Sequence, residues 1–172
     1  MAVTIDIIDQ DAFTAIVTFL SSILPTNTPI IQGLDNRVPM PVSGFVVMTS
    51  AGIDRLVTNI DTYASVAQTK SVFTQTDFRI QLDFYGANSQ SWAVQTMALL
   101  RDDIGVSAFP ATIKPLYCDG LLQLPLINGE SQYEQRWKLL AHLQYNPTIT
   151  TAQQSATAIS IGIKPIDQTF HP

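Results

Sequence analysis

The chain has 172 residues, a length that suits one domain around one core, so residues 1–172 are read as a single unit. Hydrophobic residues make up 46% of it, against 8 Gly and 10 Pro, which excludes a disordered, collagen-like or linker-like chain. The net charge of −5 comes from 9 Lys plus Arg and 14 Asp plus Glu with no basic cluster, which argues against tight nucleic-acid binding through neutralised phosphates.

At the N-terminus, Asp9 and Asp11 precede Phe13, Ile16, Val17, Leu20, Ile23 and Leu24. That spacing predicts a helix over 10–24, stopped by Pro25. The apolar stretch from Ala12 to Leu24 is broken by Thr14, Thr18, Ser21 and Ser22 and falls short of the ~20 residues a bilayer span needs. The first basic residue is Arg37, so no export signal or transit peptide is expected, and the chain is read as intracellular and without membrane contact. Residues 25–41 hold Pro25, Pro29, Pro39 and Pro41 and read as an extended arm around Ile30 and Ile31.

Residues 45–50 and 53–60 are strand-like, with Gly44 and Gly52 as punctuation, and are expected to pair as neighbours. Phe78, Ile80, Leu82 and Phe84 then alternate with Asp77, Arg79, Gln81 and Asp83, a strand with one face covered. After Gly86, a helix over 89–103 is predicted, with Ala93, Met97, Leu100 and Ile104 on its inner face and Gly105 as its stop. Residues 113–119 and 121–127 are strand candidates whose Pro115 and Pro125 push them to a sheet edge.

Asn128-Gly129 is a strong hairpin-turn dipeptide. Beyond it, Trp137, Leu139, Ala141, Leu143 and Tyr145 alternate with Arg136, Lys138, His142 and Gln144. A strand over 132–145 would span roughly 45 Å, so part of this hairpin is expected to project beyond the domain. A last strand is predicted over 157–163, and 165–172 reads as a loose tail. The order of elements gives an α+β fold, a mainly antiparallel sheet with two helices on one face and a long projecting β-hairpin.

Reactive groups are sparse. His142 and His171 are the only histidines and Glu130 and Glu134 the only glutamates, with no metal-ligand spacing, phosphate loop or nucleophile motif. On the polar face of its strand, His142 reads as exposed or interfacial. Lone Cys118 fits a reducing compartment and a small buried hydrophobe. No catalytic residue, cofactor or metal is expected. Interface candidates are Arg79, Asp83, Tyr85, Asn128, Gly129, Tyr133 and Arg136, because Arg and Tyr bury large area with a polar handle. Arg79, Asp83 and Arg136 face away from the apolar stripe and pair either between strands or between subunits. Trp137 and Tyr145 are read as core.

Charged residues are 13% of the chain, about half the usual ~25%. The expected monomer surface of ~8,300 Å² then carries one charge per ~360 Å². So neutral a surface favours assembly over free solution.

Three segments resemble those of the neck or tail terminator proteins of tailed bacteriophages: Gln81-Leu82-Asp83-Phe84-Tyr85-Gly86 before a helix, Tyr133-Glu134-Gln135-Arg136-Trp137 opening a long strand, and Leu143-Gln144-Tyr145-Asn146-Pro147 closing it. The resemblance runs from about Phe45 to Ile163. It implies a structural virion protein of the tail or neck, assembled in the host cytoplasm. Such a protein forms a homo-oligomeric ring, usually a hexamer, that caps the tail tube and offers a docking surface to the head connector. Implied partners are the tube protein, the head-tail connector or adaptor and, in a contractile tail, the sheath, with DNA passing through unheld. It implies no enzymatic activity and no cofactor. A tail tube or head-tail adaptor subunit is the alternative, and a small-molecule-binding domain or enzyme a more distant one.

Overall fold

The computed structural model describes residues 3–33, 41, 43–127 and 133–154. The first helix, α1, spans Asp9–Ile23. Its start is fixed where the Asp11 carboxylate accepts the Ile8 backbone N–H at 2.8 Å, satisfying a donor the first helical turn leaves orphaned. Phe13, Ile16, Phe19 and Leu20 are buried, so the predicted face is the inner one.

A six-stranded sheet lies against this helix. Its strands are β2 (Ile30–Gln32), β3 (Phe45–Arg55), β6 (Thr76–Tyr85), β9 (Tyr133–Tyr145) and, along the outer edge of β9, β7 (Ile113–Cys118) followed by β8 (Leu122–Ile127). All pairs are antiparallel except β2 with β3. Phe78, Ile80, Leu82 and Phe84 of β6 and Leu139, Ala141 and Leu143 of β9 are buried in the core with the helices. Period-2 alternation gave both strands because one face is apolar throughout. The Tyr145 hydroxyl donates to the Ile7 carbonyl at 2.7 Å, and Trp137 packs partly buried against the core.

Several expectations are corrected. Residues 45–55 form one strand with a bulge between Ser50 and Gly52, where Gly52 has φ +130, so 45–50 and 53–60 do not pair with each other. Ile30–Gln32 is a parallel edge strand, tied down by the Val46 N–H to the Pro29 carbonyl and the Gly33 N–H to the Met48 carbonyl. That part of the supposed arm belongs to the sheet, and 34–40 lie outside the described residues.

The second helix is two. Ser89–Leu99 forms α2 and Asp103–Ala108 forms α3. The buried side chains of α2 are Ser89, Trp92, Ala93 and Thr96, while Met97 and Ile104 are exposed. Gly105 is not a stop but lies inside α3, where a Cβ would strike the Leu99 and Leu100 carbonyl oxygens at the end of α2. The turn therefore needs a residue without a side chain. The strand expected at 157–163, the tail at 165–172 and the Asn128-Gly129 turn lie outside the described residues.

A second sheet was not foreseen. Its strands are β1 (Val3–Ile5), β4 (Ile60–Ala64), β5 (Thr69–Phe73) and β10 (Thr148–Ala152), in the order β1-β10-β5-β4, all antiparallel. It extends the first sheet. The register that sets Thr76 opposite Tyr145 continues unbroken to set Phe73 opposite Thr148. From Thr69 to Tyr85 this ribbon covers roughly 55 Å at strand rise. The projecting hairpin expected around Asn128-Gly129 lies outside the described residues; the extension through β5 and β10 is a different feature.

Candidate assembly surface

The polar face of the core sheet brings four of the seven interface candidates into one row. Register places Tyr85 opposite Arg136, Asp83 opposite Lys138 and Arg79 opposite His142. Arg136 Nε lies 3.0 Å from Asp83 Oδ1, and Gln81 Nε2 donates to the other carboxylate oxygen at 2.6 Å. The Asp83 side chain is only 4% exposed and that of Arg136 26%. Its hydrogen bond to Asp83 holds the guanidinium above its ordinary pKa. Asp83 and Arg136 therefore pair between strands of one subunit, settling the question that alternation alone left open.

Tyr85 stacks on Phe45 with ring centroids 4.6 Å apart, and the Arg136 guanidinium lies 5.6 Å from the Tyr85 ring centre. Burial pushes the Tyr85 hydroxyl pKa up, with Arg136 opposing. At the far end of the row Arg79 reaches Asp54 across β3 at 2.8 Å. Of these four, Arg79 and Arg136 keep partial exposure, while Asp83 and Tyr85 are buried. Tyr133 opposes Ile127 in the β8–β9 pairing. Asn128 and Gly129 fall outside the described residues.

His142 is buried rather than exposed. Its Nδ1 is 2.7 Å from Asp77 Oδ2, its Nε2 is 3.5 Å from Asp119 Oδ1, and its ring stacks on Tyr117 at 4.1 Å. Sequence spacing hid this because Asp77 and Asp119 come from another strand and from the end of β7. Among the described residues no group of three or more His, Cys, Asp or Glu could hold a metal ion. The Cys118 thiol is pushed up to about 12, chiefly by burial and secondarily by Asp119. A hollow of about 690 Å³ between α1 and the α3–β7 connection has Asp6 and Asp11 as its ionisable lining. Both carboxylates already accept backbone N–H groups, from Thr148 and Ile8.

The second sheet has a different character. No residue of β1, β4, β5 or β10 is buried. Val3 is 65% exposed, Ile60 54%, and Val66 at the β4–β5 tip 100%. Val3, Ile5, Ile60 and Tyr63 of its strands and Val66 at its tip are all exposed large hydrophobic side chains. A sheet ordinarily buries one face against another layer. Among the described residues no layer buries either face, and none of their helices is long and apolar enough to cross a membrane. The surface is that of a part awaiting neighbours.

The chain belongs to the phage neck terminator protein family, whose sequence pattern matches residues 10–167. It is therefore a structural protein of the bacteriophage tail and neck. No curated protein matches it in sequence. Among solved structures it is similar in fold to the sheath/tube terminator, in the extended state, of PVC, an extracellular contractile injection system. The TM-score is 0.52 at 10% identity, over 94% of this chain and 65% of that one. The chain thus spans about two thirds of that structure's length.

Proposed function

We propose that this protein closes the finished tail as a ring, usually of six copies, which caps the tail tube and presents the surface to which the head connector docks. The family supports the terminator role, and the observation that carries the ring is the second sheet with no buried residue. Copies of the chain and the tube end would cover it. Interfaces of ~800 Å² per partner would hide much of an exterior poor in charge.

In this reading the protein acts by shape and contact rather than as an enzyme, and it needs no cofactor. DNA passes through the ring without being gripped, in keeping with the net charge of −5. The solved structure of similar fold is described as a sheath/tube terminator, which extends the proposal to contact with a sheath where the tail is contractile. Assembly takes place in the host cytoplasm. Deleting the gene and measuring tails by electron microscopy tests the reading. Overlong or headless tails are expected, and normal-length tails joined to heads would refute it.

A further inference from the structure

Among the described residues the second sheet ends in two edge strands, β4 and β1, and nothing pairs with the outer side of either. Natural edge strands are usually blunted by proline, lysine or a bulge. Val3-Thr4-Ile5 has none of these, and Ile60–Ala64 has a single charge, Asp61, already held by Lys70 of the neighbouring strand at 2.6 Å. Because the sheet has four antiparallel strands, an even number, β1 and β4 run in opposite directions. The β4 edge of one copy can therefore meet the β1 edge of the next in the antiparallel sense the sheet already uses.

We infer that this pairing, β4 to β1 of a second copy of the chain, is the seam of the ring, an inference that rests on the ring reading above. Register supports it. Thr4, Thr150, Ser71 and Thr62 stand opposite one another in turn across the four strands, with the Ser71 and Thr150 hydroxyl oxygens 3.2 Å apart. Setting Thr62 against Thr4 of the next copy continues this hydroxyl row without a break and brings Tyr63 opposite Val3, both exposed. A slip of one residue would break the hydroxyl row by setting Thr62 opposite Val3 or Ile5. The Thr62 to Thr4 register sets Asp61 opposite Ile5, and two-fold pairing of β4 with β4 would instead leave both β1 edges open. Head-to-tail pairing satisfies both edges with one repeated contact, the kind that builds a ring when the rotation between copies closes. The three residues of β1 make a seam of only ~10 Å, so the contact forms on a platform such as the tube end rather than in dilute solution.

The test uses the full chain in phage particles. With Cys118→Ala as background, oxidation of particles carrying Thr4→Cys together with Thr62→Cys should give a ladder of linked chains ending at the ring size, while each single cysteine leaves monomers. A dimer from Thr62→Cys alone would overturn the seam in favour of two-fold pairing. A parallel measurement needs no substitution. Amide hydrogen exchange in 3–5 and 60–64 should slow at least about tenfold between the free subunit and the particle. Rings present with both edges exchanging as in the free subunit would overturn the seam and leave the ring standing. Particles without the chain at the tail end would instead overturn the ring reading.

Discussion

Replacing Arg136 with Met isolates what the polar face contributes to the subunit. Among the described residues the carboxylate of Asp83 would keep only the Gln81 amide, at 2.6 Å, in a site where its side chain is 4% exposed. The lost charge-assisted hydrogen bond is worth about 1.5–3 kcal/mol. The contact with the Tyr85 ring adds about 0.5–1 kcal/mol, toward the low end because Arg136 still reaches solvent. Arg136→Met should therefore cost about 2–4 kcal/mol, and at ~2–4 °C per kcal/mol for a chain of this size the melting temperature should fall by roughly 4–16 °C. Urea unfolding of the dilute subunit reads the change directly. The double variant Asp83→Asn, Arg136→Met should lose less than the sum of the singles, with a coupling of about 1–3 kcal/mol. A neutral Arg136→Met in the free subunit, combined with failure of ring formation, would refute the intrasubunit pairing and move the contact between copies.

Other expected outcomes follow from single sites. Gly105→Ala should destabilise by about 1–3 kcal/mol in thermal unfolding, since the Cβ overlaps the end of α2. His142→Leu should cost a similar ~1–3 kcal/mol by leaving the buried Asp77 carboxylate without its ring partner, whereas Asp77→Asn, which keeps a polar contact, should cost less. Because the Cys118 thiol stays protonated up to about pH 12 instead of the ordinary 9.0, alkylation at pH 8 should be roughly a thousandfold slower in the folded chain than in urea. Val66→Asp, at the fully exposed tip between β4 and β5, should leave melting unchanged and lower incorporation into particles, measured by immunoblot.

Local patterning carried β6, β9 and α1, because each has one continuous apolar face and the core needs that face covered. It failed where burial did not follow the pattern. In α2 the inner face includes Ser89 and Thr96 while Val94 and Met97 look outward, so counting apolar positions placed Ala93 and Leu100 correctly, misplaced Met97 and Ile104, and carried the helix past Leu99. The β4–β5 hairpin left no period because none of its residues is buried. Of its strands, β5 pairs with β10, far along the chain, and β4 pairs with β5. The polar row was legible as far as Arg79, Asp83 and Arg136 facing away from the apolar stripe, but which pairs with which depended on register. His142 was misjudged because Tyr117 covers it and because Asp77 lies 65 residues away.

The central claim is that surfaces the subunit leaves uncovered are completed by copies of itself at the end of the tail. Cryo-electron microscopy of the neck of intact particles tests it most directly. A single closed ring of this chain at the head-proximal end of the tube, with the β1-β10-β5-β4 sheet in contact with neighbours, is the predicted map. Copies stacked along the tube, or a ring in which that sheet faces open solvent, would contradict it.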